Sequence, residues 1–86
     1  MEIRFIEESD KDLVYWQKIH NSTVLKRIAE LLTSIEQNPT QGIGNPEPLR
    51  HKLSGYWSRR IDKANRIVYK VDEDIIWVIS LRGHYK

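Results

Sequence analysis

The stretch YWSRRIDKANRIVYKVDEDIIWVISL, residues 56–81, decides the fold of this chain. Apolar side chains recur at every second position through 56–61, 66–71 and 75–81, the period that a half-buried strand requires. Asp62-Lys63-Ala64-Asn65 and Asp72-Glu73-Asp74 separate these runs and read as turns. Three strands joined by such short turns form an antiparallel meander. In the middle strand Ile67, Tyr69 and Val71 share one face, while Arg66, Val68 and Lys70 share the other. The same alternation requires one of Tyr56 and Trp57 to point inward.

Upstream the period changes to that of a helix. A short strand over 2–6 comes first, with Ile3 and Phe5 on one side. Ser9 reads as an N-cap answered by Asp12 three residues on. Leu13, Tyr15, Trp16 and Ile19 then give an apolar stripe that ends near His20-Asn21. Ser22 or Thr23 caps a second helix, in which Val24, Ile28, Leu31, Leu32 and Ile35 follow a 3.6-residue period. That helix stops at Asn38-Pro39, because proline disfavours helical geometry in the residue before it. Residues 39–48 (PTQGIGNPEP) read as a loop rich in Gly and Pro. The order β-α-α-β-β-β predicts an α+β fold, two helices packed on one face of a mainly antiparallel sheet, with the opposite face open to a ligand.

A chain of 86 residues holds one domain, 1–86, around one modest core. With 30% charged and 40% hydrophobic residues it fits a soluble globular class. It contains 0 cysteines, which excludes disulfides and thiolate chemistry. The N-terminus alternates charge and apolarity, the pattern of neither a signal peptide nor a membrane span, so a cytoplasmic location is expected. Positive charge is concentrated in the second half. Residues 1–43 carry 5 Lys/Arg against 7 Asp/Glu, whereas 44–86 carry 9 against 5. That asymmetry favours a polyanionic partner.

Metal-free RNA cleavage needs a base for the attacking 2′-hydroxyl, an acid for the departing 5′-oxygen and fixed cations for the phosphorane. Glu47 is a candidate base, stiffened between Pro46 and Pro48. His84 is a candidate acid, carried by a tail in which Arg82 suggests an anionic substrate. Arg66 and Arg59 suit the clamp, since a guanidinium grips phosphate oxygens bidentately. Arg50-His51-Lys52 and Arg59-Arg60, punctuated by Tyr56 and Trp57, resemble a single-stranded RNA platform. Read alone, each candidate has a plainer account. Pro-Glu-Pro fits an ordinary exposed turn, His84 a frayed terminus and Arg66 a surface charge paired with Asp62. Tyr15, Trp16, Tyr69 and Trp77 are expected in the core or an interface. The three histidines, at 20, 51 and 84, share no metal-ligand spacing, so no metal or other cofactor is expected. Gly42 and Gly44 lack the context of a nucleotide-binding loop.

Taken jointly, the motifs Pro46-Glu47-Pro48-Leu49, Leu53-Ser54-Gly55-Tyr56-Trp57-Ser58-Arg59-Arg60-Ile61, Arg66-Ile67-Val68-Tyr69 and His84-Tyr85 resemble the YoeB-type toxins of the RelE superfamily. The resemblance spans essentially the whole chain. It implies a microbial-RNase-like fold and an endoribonuclease acting on messenger RNA in the ribosomal A site. Glu47 then falls on the general base, Arg66 on the phosphate-stabilising arginine and His84 on the general acid, with Tyr85 helping to orient substrate. Arg50, His51, Lys52, Arg59 and Arg60 are the expected substrate-binding cations. The resemblance also implies neutralisation by a YefM-type antitoxin, acidic and folding on binding, and it favours a homodimer. A non-catalytic RNA- or ribosome-binding module is the alternative, although binding alone would not need a base–acid pair. Two positions depart from the family pattern: Lys86 extends past the terminal tyrosine, and Gly83 adds backbone freedom before His84.

Overall fold

Chain order runs β1 (Glu2–Phe5), α1 (Glu7–Lys18), α2 (Ser22–Gln37), β2 (Glu47–Pro48), a 3-10 turn (His51–Leu53), β3 (Trp57–Arg60), β4 (Arg66–Asp72) and β5 (Ile75–Ser80) in the computed structural model, which describes residues 1–83. The meander stands where the alternation placed it. β3, β4 and β5 form antiparallel neighbours in a five-stranded sheet of order β1-β5-β4-β3-β2. β1 joins the outer edge of β5 in parallel, from Glu2 opposite Ile75 to Phe5 opposite Val78. The sheet is therefore mixed. Strand β2 is a correction to the expected 39–48 loop. Its last two residues pair with β3, Glu47 opposite Ser58 and Pro48 opposite Trp57. A proline can sit there because β2 is an edge strand, where its missing N–H is not needed.

Both helix starts differ from the sequence expectation. α1 begins at Glu7, and Ser9 lies buried in its first turn. There the Ser9 hydroxyl accepts from the Ile6 N–H at 3.0 Å and donates to the Val78 carbonyl at 2.8 Å. Asp12 is thereby left for a tertiary role. Asn21 caps α2, its side-chain oxygen accepting from the Val24 N–H at 3.1 Å. The end of α2 at Gln37, one residue before Asn38-Pro39, agrees with the proline rule.

The helical stripe buries Trp16, Val24, Ile28, Leu31 and Ile35 against Ile67, Tyr69, Ile76 and Val78 of the sheet. Trp57 packs on this core, so Tyr56 is the aromatic that turns outward. Pairing places Glu47, Ser58 and Val68 in one row on the other face, with the Arg60–Arg66 pair two residues along. Tyr56, Lys70, Trp77 and Arg4 occupy that face on the opposite side of the row, Lys70 Nζ lying 5.4 Å from the Tyr56 ring and the Arg4 guanidinium 5.6 Å from that of Trp77. Of the two places expected for Trp77, core or interface, the core is thus ruled out: it stands half-buried on the open face. Val68 is nevertheless fully buried within its row.

Candidate active site

Edge strand β2 presents Glu47, which its two flanking prolines already bias toward extended backbone. Across two strand spacings and two residues along lies Arg66, at about 12 Å between Cα atoms. Both side chains stand on the open face, and together they are long enough to meet on one phosphate. Glu47 is exposed and Arg66 half-buried. Arg66 NH1 donates to the carbonyls of Asp62 at 3.0 Å and Asn65 at 3.4 Å, which hold the guanidinium at the β3–β4 turn. Arg60, directly opposite, is exposed on the same face. Arg50, His51 and Lys52 are exposed around the 3-10 turn, past the Leu49–Tyr56 hydrogen bond and so on the side of the row opposite Arg60 and Arg66. Cations therefore flank Glu47 from both directions.

Arg59 requires correction. Alternation in β3 sends it to the helical face, opposite Ile67, where it is 0% exposed. Its Nε donates to the Tyr69 hydroxyl at 3.1 Å and NH1 to Ser34 Oγ at 2.8 Å and the Ile43 carbonyl at 3.3 Å. NH2 donates to the carbonyls of Asn38 at 2.6 Å and Gln41 at 3.1 Å. Its whole fork thus ties the 38–43 loop to the sheet, and none of it is left to grip a phosphate. Tyr69 completes the tie by donating to the Pro39 carbonyl. Burial pushes the Tyr69 phenol up from its ordinary pKa, an effect that the Arg59 hydrogen bond partly offsets. The loop approaches so closely that a Cβ on Gly42 would lie 2.3 Å from Ser34 Oγ and 2.9 Å from Arg59 NH1.

His84 and Tyr85 lie outside the described residues, but the segment leading to them is firmly held. Asp12 of α1 accepts from the Leu81 N–H at 3.0 Å, and Trp16 Nε1 donates to the Leu81 carbonyl at 2.9 Å. The Arg82 guanidinium stacks 3.6 Å from the Tyr15 ring centroid, so one of its faces is taken by α1 rather than by an anion. Gly83 donates to Asn65 Oδ1 at 2.9 Å, and its carbonyl accepts from the Arg66 N–H at 2.9 Å. Gly83 has φ +89°, a left-handed conformation that glycine adopts without strain. The chain is thus delivered to Arg66 one residue before His84. Sequence reading passed over Asp12, Trp16 and Asn65 in this role. Asp12 looks like a capping residue and Trp16 like plain core, and nothing local marks either as a partner of residues 81–83.

Among the described residues no group of three or more His, Asp or Glu is gathered closely enough to hold a metal ion. No described helix is long and apolar enough to cross a membrane. Two helices against a mixed sheet, with arginines and an exposed carboxylate on the open face, define a small α+β domain with a basic open face. A family model described as "YoeB-like toxin of bacterial type II toxin-antitoxin system" matches residues 5–85. The chain is 42% identical to Toxin YoeB of Escherichia coli strain K12 over 85 residues, covering 99% of this chain and 100% of that one. It is 44% identical to Toxin YoeB of Synechocystis over 86 residues, covering 100% and 99%. Among solved structures, a YoeB/ParE toxin from Agrobacterium tumefaciens superposes with a TM-score of 0.94 at 34% identity, over 99% of this chain and 100% of that one. The toxin of a YoeB-YefM complex from Staphylococcus aureus superposes at 0.89 with 42% identity, covering 99% and 98%. A YoeB dimer from the same organism gives 0.90 at 41%, with the same coverage. The chain belongs to the YoeB-like toxins of bacterial type II toxin–antitoxin systems.

Proposed function

We propose that this toxin is a ribosome-dependent endoribonuclease that cuts messenger RNA in the A site without a metal. Glu47 takes the proton of the 2′-hydroxyl, whose oxygen attacks the adjacent phosphorus. Arg66 stabilises charge on the phosphorane, and His84 gives its proton to the departing 5′-oxygen. The products are a 2′,3′-cyclic phosphate and a free 5′-hydroxyl. The observation that carries this reading is the convergence of three separate segments on one open face. Edge strand β2 brings Glu47, the start of β4 brings Arg66, and the Gly83 contacts bring the root of the C-terminal tail to the same point. Arg60 supports substrate from beside Arg66, and Arg50, His51 and Lys52 from the opposite side. Tyr85 orients the strand.

A YefM-type antitoxin, acidic and folding as it binds, is the proposed partner in the cytoplasm, by analogy with the Staphylococcus aureus complex. The dimer of the same relative makes a homodimer the proposed second assembly. The deciding experiment incubates purified protein with ribosomes carrying a defined message and analyses the new 3′ ends. Cyclic phosphate that vanishes with Glu47→Gln and His84→Ala supports the reading. A toxin that stalls these ribosomes and leaves every message intact is a binding module instead.

A further inference from the structure

Arg60 and Arg66 face one another directly across the β3–β4 ladder, although like charges so placed destabilise a sheet. Arg27 of α2 and Lys63 of the β3–β4 turn line the same pocket of about 430 Å³, completed by Ile61 and Asp62. Four cations therefore surround one carboxylate. That carboxylate is already engaged by the turn: Asp62 Oδ1 accepts from the Ala64 N–H at 2.9 Å, the Asn65 N–H at 2.8 Å and Asn65 Nδ2 at 3.1 Å. Among the described residues no hydrogen bond or ion pair takes up the side chains of Arg27, Arg60 or Lys63. Four cations against one carboxylate are an excess of positive charge that breaks a local stability rule, and such breaks are expected where a ligand supplies what is missing.

We infer that this pocket holds a second phosphodiester of the RNA strand, adjacent to the one at Arg66, through Arg27, Arg60 and Lys63. The inference rests on the nuclease reading above. An acidic peptide segment could answer the charge, but a segment that folds on binding must bury apolar surface. The pocket offers it little, for Ile61 is its one apolar residue and is only 6% exposed. A nucleic acid backbone needs cations alone. Because Arg66 lines the pocket and stands on the same open face as Glu47, two residues along from its row, a strand with its scissile phosphate at Arg66 runs its neighbouring phosphate onto Arg27 and Lys63.

The test compares the parent with the double variant Arg27→Gln/Lys63→Gln in cleavage of ribosome-bound message across a salt series. Exposed Lys18 on α1 supplies the control Lys18→Gln. We expect kcat/KM of the double variant to fall roughly 10-fold at low salt, mostly through KM, the size of two partly exposed charge contacts. Its dependence on log salt should be shallower than the parent's by about 0.7, the contribution of one single-strand phosphate contact. The control should match the parent. A parent that cuts, with a double variant of unchanged KM and unchanged salt slope, overturns the second phosphate and leaves the nuclease reading standing. A double variant that cuts normally but binds antitoxin weakly assigns the pocket to the protein partner and also overturns it. A parent that never cuts removes the nuclease reading and this inference together.

Discussion

Replacing Arg59 with lysine separates a structural arginine from a catalytic one. The guanidinium reaches five acceptors: Tyr69 Oη, Ser34 Oγ and the carbonyls of Asn38, Gln41 and Ile43. Lysine keeps the charge but offers one nitrogen, which cannot span acceptors distributed around a planar fork. About three of these part-buried acceptors then lose the donor that Arg59, itself 0% exposed, brings to them. At roughly 1 kcal/mol or slightly more for each unsatisfied group, the loss is about 3–4 kcal/mol. For a domain of this size that corresponds to a fall in Tm of about 15–25 °C. Thermal melts followed by circular dichroism measure it. Cleavage should then be assayed at a temperature where parent and variant are both fully folded, and there the variant should retain most of its activity. As a gentler companion, Ser34→Ala removes only one partner and should cost about 1 kcal/mol. Parental melting of Arg59→Lys combined with collapsed cleavage would refute the structural role and return this arginine to the RNA.

Three further outcomes follow from the same contacts. Arg66→Lys keeps charge but loses the fork, so single-turnover cleavage should drop more than ribosome affinity, and equal losses would move Arg66 from chemistry to binding. Trp16→Phe deletes the donor to the Leu81 carbonyl. It should lower kcat with little change in KM, at a stability cost of about 1–3 kcal/mol, while an equally destabilising Ile28→Val/Leu31→Val pair in the same core should leave kcat intact in the folded protein. Tyr69 has a raised folded-state pKa, so the native state holds its proton more tightly than the unfolded chain. Its contribution is fully present below about pH 10 and is lost as pH rises through the folded-state value. Chemical denaturation of Tyr69→Phe should show a shallower alkaline loss of stability than the parent, and parallel curves would contradict the assignment.

What the sequence determined was most of what depends on near neighbours, the two helix caps excepted. The alternation in 56–81, the helical stripe from Val24 to Ile35 and the stop at Asn38-Pro39 are local consequences of side-chain period and proline geometry. The prolines around Glu47 likewise announced an extended backbone there. Tertiary structure decided what depends on phase and partner. Arg59 and Arg60 are chemically identical neighbours, yet pairing with Ile67 and Arg66 sends one into the core and the other onto the open face. The residue pattern around them does not fix that choice, because a shift of one residue exchanges the faces of a strand. Distance set the other limit. Asp12 and Trp16 meet Leu81 across separations of 69 and 65 residues, and Arg27 and Lys63 come together only when α2 lies beside the β3–β4 turn. Such contacts leave no local mark, because what brings their residues together is burial of apolar surface elsewhere in the chain, and that is a property of the folded whole.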